Sequence, residues 1–275
     1  MATTASPDAT GIDWESSEVA ERRNRGRARR AAIQGPATET MLDLANVRTG
    51  SRVLDVAAGT GDQTLRAAER VGPTGYVLAT DVSASMLKLA ADAAREAGLT
   101  NVETKVMEAQ KIDLDENSFD AAICQLGLFL FANSENVLRA MRRVVRQEGK
   151  VAALVFSTAE RNPYQRIALS VARGFGCETP ALFSLGETDA LEKAFKESDL
   201  RNINVQPVSL SRHFSSTAEM TSRLKESAVL RAPLEKLAEA EQVKAWAEIE
   251  RQLNQFDGPN GVTIPGEFLI AAGTK

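Results

Sequence analysis

Val53-Leu54-Asp55-Val56-Ala57-Ala58-Gly59-Thr60-Gly61 is the stretch on which the reading of this chain turns. Its apolar start reads as a buried strand from Arg52 to Ala57, and the small residues after it read as a tight turn into a helix from Gln63 to Val71. Glycine in such a turn lets the backbone approach a ligand with no Cβ in the way. Twenty residues beyond Gly61, Asp81 closes the next strand, Gly75 to Thr80. A carboxylate there can accept from both hydroxyls of a ribose. Strand, glycine turn, helix and acid-tipped strand together describe a nucleotide cradle at the carboxyl end of a parallel sheet.

Two residues decide which nucleotide. The dinucleotide pattern G-x-G-x-x-G, counted from Gly59, needs a glycine at Thr64. Asp55 also stands four residues before Gly59. A carboxylate there would repel a pyrophosphate but suits the ammonium of a methionine moiety. A tight turn without a ligand is the bland alternative, and the joint occurrence of Asp55, Gly59, Gly61 and Asp81 argues against it.

Outward from the loop, strands and helices alternate. Ser83 is a suitable N-cap for a helix from Ala84 to Ala97, which Gly98 stops. Val102 to Met107 and Ser118 to Gln125 read as strands, Val137, Leu138, Met141, Val144 and Val145 follow helical spacing, and Val151 to Phe156 is a further strand. The alternation predicts a parallel sheet with helices on both faces. Upstream, Trp14 to Ile33 reads as a helix, Gly35-Pro36 as a break, and Thr38 to Asn46 as a second helix. After Ser157 the rhythm changes. Residues 158–186 show no clear repeat; a helix over Thr188 to Ser198 and a strand over Ile203 to Leu210 follow. Residues 217–256 read as two helical pieces divided by Pro233, with Trp246, Ile249, Leu253 and Phe256 on one face, and Phe268 to Ala272 is the final strand.

The 275 residues suffice for a real core, and a single α/β domain with insertions reaches this length. A net charge of −4 argues against a nucleic-acid surface. Cys124 and Cys177 leave one disulfide open but form no metal pattern, so no metal is expected, and a reduced cytoplasmic setting is the natural reading. No apolar run suits stable membrane insertion. Residues 1–12 read as a disordered tail and 13–275 as one domain, its core at 36–157.

VLDVAAGTGDQT from Val53, ATDVSASML from Ala79, the turn at Glu108-Ala109-Gln110 and SFDAAICQLGLFLF from Ser118 resemble class I S-adenosylmethionine-dependent methyltransferases, in particular the UbiE-like group. The resemblance is good over 36–157 and looser outside. It departs at Ala57, where glycine is common. It implies a Rossmann-like, seven-stranded, mostly parallel sheet of order 3-2-1-4-5-7-6 with the last strand antiparallel, and helical insertions forming a lid. It also implies that Asp55, Ala57, Gly59, Thr60 and Gly61 surround the methionine and ribose portions of S-adenosylmethionine, and that Asp81 holds the ribose diol. Val82 and Met86 would flank the adenine, Glu108 and the Ala109 amide would meet its edge, and Gln125 would lie near the sulfonium. Met86 reads equally as helix packing, and Glu108 as a solvated carboxylate. The small-molecule acceptor would be walled by 13–34, 158–186 and 211–256.

Candidate acceptor-side residues are sparse. His213 is the sole histidine, beyond the expected end of a strand, and an imidazole there suits a general base, with a plain structural histidine as the alternative. Arg161 and Tyr164 are candidate acceptor contacts. Six arginines between Arg22 and Arg30 read as a solvated helix face, with attraction of an anionic acceptor as the alternative. The expected function is methyl transfer to carbon or oxygen of a hydroxylated aromatic or secondary-metabolite scaffold, releasing S-adenosylhomocysteine. A repurposed protein that binds the cofactor without transfer is the second reading, and an NAD-dependent oxidoreductase the third. Oligomeric state stays open.

Overall fold

The computed structural model describes residues 12–275; apart from Ile12, the expected tail lies outside them. The strands are β1 (Arg52–Val56), β2 (Tyr76–Asp81), β3 (Val102–Val106), β4 (Phe119–Gln125), β5 (Val145–Phe156), β6 (Arg201–Phe214), β7 (Asp257–Gly258) and β8 (Gly261–Thr274). They form one sheet of order β3-β2-β1-β4-β5-β8-β6, with the two-residue β7 hairpinned onto β8. Strands β1 to β5 run parallel, and β8 lies antiparallel between β5 and β6. The expected order therefore holds, with β8 standing between β5 and β6 as the expected strand seven. Strand order reverses between β1 and β4, and the crevice there opens at the carboxyl ends of the strands.

Side chains alternate across the sheet. Val53, Val77, Ala121 and Ile123 face α2 (Arg27–Leu44) and α3 (Asp62–Val71), where Ala37, Met41, Leu42, Ala67, Ala68 and Val71 are buried with them. Leu54, Val56, Ala122 and Cys124 face the opposite core, which α5 (Ser134–Val144) covers with Val137, Leu138 and Met141. On the first strands, α4 (Ala84–Glu96) is capped by Ser83, whose hydroxyl accepts from the Met86 amide.

Several sequence expectations are corrected. Gly35-Pro36 does not break the chain: α2 runs through Pro36, and the interruption falls at Gly26, after α1 (Ser17–Arg25). An internal proline costs a helix about 3 kcal/mol. Burial of Ala37, Met41 and Leu42 beyond it offsets that at roughly 1.5–3 kcal/mol per large side chain. Within 158–186 a helix, α6 (Pro163–Gly174), starts with its proline in the first turn, where no amide partner is needed. After α7 (Thr188–Lys196), residues 217–256 make three helices rather than two: α8 (Thr217–Glu226), α9 (Ala228–Glu235) and α10 (Glu239–Leu253). Pro233 lies inside α9, and the breaks fall at Ser227 and 236–238. Ile249 and Leu253 are buried as expected, whereas Trp246 is half-buried and Phe256 lies past the helix. Strands β5 and β6 are also longer than their apolar runs: β5 starts at Val145, which pairs with Phe119 of β4, and pairing along β8 carries β6 on to Phe214. Among the described residues no helix is long and apolar enough to cross a membrane, and both cysteines are free.

Candidate functional site

The loop after β1 is held from both sides. Gly59 and Gly61 adopt φ of +56° and +84°, the left-handed region that suits glycine. A Cβ on Gly61 would lie 2.9 Å from the Ala90 Cβ, so packing of α4 requires glycine there. A Cβ on Gly59 would stand 3.2 Å from the Arg23 Nε and fill the open side of the loop. Ala57 also has φ +56°, at a modest cost in strain for a residue with a side chain.

Asp81 ties the loop to the second strand. One carboxylate oxygen accepts from the Gly59 amide at 2.9 Å, the other from the Ser83 amide at 3.0 Å. Burial pushes its pKa up, against the pull of those amides and of Arg23. Each oxygen keeps a lone pair for a further donor, so the geometry fits a ribose diol. Asp55, fully buried, accepts from Gln63 at 3.0 Å and Thr64 at 2.6 Å. Burial raises its pKa to about 7, with the two hydrogen bonds opposing. Asp55 thus braces the first turn of α3 and stays poised to ionise beside a cation.

Around this loop, Met86 and Ala109 are buried, Val82 is half-buried, and Glu108 is partly exposed and paired with Lys111 at 3.0 Å. Thr60 accepts from Arg30, whose guanidinium also pairs with Asp62 at 2.8 Å. Gln125 is buried; its carbonyl accepts from Thr38 at 2.8 Å and its amide donates to Gln34 at 3.1 Å. The long side chains from α2 therefore reach the end of β4, a contact the sequence spacing does not announce.

Beside the loop lies a cavity of about 190 Å³. Residues from all three expected acceptor-side additions line it, among them Gln34, Tyr164, Gln165, Arg212 and Phe214, and Leu126 at the end of β4 joins them. The Tyr164 and Phe214 rings stack at 5.7 Å, and Phe129 meets Phe156 at the same spacing. Arg22, Arg23, Arg29 and Arg30 also line the cavity, so the arginine run is not simply a solvated face.

Two sequence candidates are not brought to it. His213 lies within β6 rather than beyond a strand, paired with Thr263 of β8. Its side chain is exposed, with Nδ1 2.9 Å from the Thr263 hydroxyl, because strand alternation turns it away while Arg212 and Phe214 turn in. Arg161 is exposed in the turn before α6, outside the cavity lining. The residues missed by sequence reasoning are Arg212, Gln165 and Gln34. For Arg212 the signal was the alternation through Leu210-Ser211-Arg212-His213-Phe214, had the strand been carried that far.

A glycine loop at the switch point, an acid closing β2 and an aromatic cavity at the strand ends make this site similar to those of class I S-adenosylmethionine-dependent methyltransferases. Residues 37–171 match the ubiE/COQ5 methyltransferase family. The ubiquinone/menaquinone biosynthesis C-methyltransferase UbiE of Pseudomonas savastanoi pv. phaseolicola is 42% identical over 117 residues, 42% of this chain and 46% of that protein. The UbiE protein of Pseudomonas aeruginosa is 38% identical over 122 residues, 44% of this chain and 48% of its own. The chain thus spans about half the length of the curated relatives it matches. In fold it is similar to the YcgJ protein of Bacillus subtilis, with TM-score 0.60, 17% identity, and coverage of 88% of this chain and 98% of that one. It is also similar to Haemonchus contortus phosphoethanolamine N-methyltransferase 2 in complex with S-adenosyl-L-methionine, with TM-score 0.58, 16% identity, and coverage of 96% and 60%.

Proposed function

We propose that this chain transfers a methyl group from S-adenosylmethionine to carbon or oxygen of a small, hydroxylated aromatic or secondary-metabolite acceptor. The observation that carries this reading is the adjacency of a donor cradle and an aromatic cavity. Gln34 lines the cavity and bonds to Gln125 at the end of β4, next to the loop. Asp81 would hold the donor's ribose, Asp55 would favour its ammonium, and Met86, Val82, Glu108 and Ala109 would surround its base. The bound donor supplies a methyl group already activated by a sulfonium charge.

The protein's part is alignment and exclusion of water, which by proximity alone supply much of the acceleration of such a transfer. Glu226 is the carboxylate of the cavity lining, and Arg29 and Arg223 hold it at 2.8 Å each. It is therefore a poor base, and a proton released by the acceptor goes to water. Calorimetry with S-adenosylhomocysteine and with NAD tests the cradle. Release of S-adenosylhomocysteine on incubation with S-adenosylmethionine and a panel of phenols and enols tests transfer. Tight S-adenosylhomocysteine binding without turnover on any panel member would favour a cofactor-binding protein that does not transfer.

A further inference from the structure

Arg212 is a buried cation without an anion. It is 7% exposed, and its guanidinium makes no hydrogen bond or ion pair with any described residue; Nη1 is wholly enclosed and unpartnered. Its neighbour is the Tyr164 ring, 5.2 Å below the guanidinium carbon. The other arginines of the cavity have oxygen partners or another acid nearby. Arg22 pairs with Glu18, Arg30 with Asp62, and Arg29 and Arg223 share Glu226, while Arg23 faces Gly59 and draws on Asp81. A buried charge that lacks a counter-charge is destabilising, and a single ring face compensates only part of it. Burial lowers the Arg212 pKa to about 10, so the group remains charged at neutral pH.

A second orphan stands in the same wall. The Gln165 Oε1 is buried with no donor, on the residue next to Tyr164. One enclosed group lacks an acceptor and the other lacks a donor, and both line a cavity walled by stacked aromatic rings. An apolar cavity of roughly 150 Å³ takes up benzene, so a cavity of about 190 Å³ holds one substituted ring.

We propose that Arg212 anchors the acceptor, and that the acceptor is a single-ring hydroxylated carboxylic acid. Its carboxylate meets the Arg212 fork and a hydroxyl donates to Gln165. The planar guanidinium matches a carboxylate with two parallel hydrogen bonds. The donor's own carboxylate is not the counter-ion. The guanidinium that faces Gly59 of the loop is that of Arg23, which stands nearer to the donor's carboxylate. This proposal rests on the reading of the cavity as the acceptor pocket.

The test is calorimetry on the full chain saturated with S-adenosylhomocysteine. The probes are 2,4-dihydroxybenzoate and 3,4-dihydroxycinnamate, each beside its methyl ester. Wild type should bind at least one acid about tenfold more tightly than its ester, and Arg212→Met should reduce that ratio to about threefold or less. The variant should bind S-adenosylhomocysteine as wild type does. Without ligands it should melt at a higher temperature, since a buried unpaired charge has been removed. No preference for either acid in wild type, a preserved preference in the variant, or a lower melting temperature would overturn the proposal. Tenfold weaker S-adenosylhomocysteine binding in Arg212→Met would reassign the guanidinium to the donor and overturn it too. Failure of wild type to bind S-adenosylhomocysteine would instead remove the cofactor reading beneath it.

Discussion

Replacing Asp81 by alanine removes an acceptor that serves the fold and the proposed cofactor together. The fold loses the bonds from Gly59 at 2.9 Å and Ser83 at 3.0 Å. A hydrogen bond to a charged group contributes about 1.5–3 kcal/mol. Part of that loss is offset, because burial already disfavours the ionised carboxylate and raises its pKa. A net loss of about 2 kcal/mol follows, and for a domain of this size that lowers the melting temperature by roughly 4–8 °C. The cofactor loses its ribose partner, a further 1.5–3 kcal/mol, or about 10- to 100-fold in affinity. Titration with S-adenosylhomocysteine, at a temperature where both proteins are fully folded, isolates the second effect. Asp81→Asn serves as the companion variant. It keeps one acceptor oxygen but turns a donor toward one of the two amides, so it should bind weakly while melting nearer to wild type. An S-adenosylhomocysteine affinity for Asp81→Ala within about threefold of wild type would refute the ribose assignment.

Three further outcomes are expected. Gly59→Val should abolish S-adenosylhomocysteine binding, because its left-handed backbone and the Arg23 guanidinium at 3.2 Å leave no room for a branched side chain; normal binding by calorimetry would separate the loop from the cofactor. Asp55 holds its proton to about pH 7 when folded and to near pH 4 when unfolded, so the folded state binds more protons across that window and stability falls as pH rises through it; denaturation midpoints from pH 4 to 7 should show this slope in the wild type and a flatter one in Asp55→Asn. His213→Ala should keep turnover within about threefold of wild type with no lost acidic limb in the pH–rate profile, since the imidazole faces Thr263 outside the cavity; a hundredfold loss would restore it as a base.

The glycine loop and its acids were legible because the parts are local. Asp55, Gly59, Gly61 and Asp81 lie within one βαβ unit, and the chemistry of each is set by neighbours close in sequence or on the paired strand. The alternation of apolar strands and helices likewise pointed to the parallel sheet, whereas its strand order followed only from the family resemblance. Tertiary structure decided what depends on distant partners. Helix α2 passes through Pro36 because the core beneath Met41 and Leu42 outweighs a lost backbone bond. Strand β6 runs on to Phe214 because β8 supplies pairing partners, and that extension turns His213 outward and Arg212 inward. The cavity is assembled from helices and strands nearly two hundred residues apart, as in the Arg29–Glu226 pair with a separation of 197. No window of sequence contains both sides of such a contact, so an unpaired guanidinium on β6 becomes visible only when the walls around it have closed.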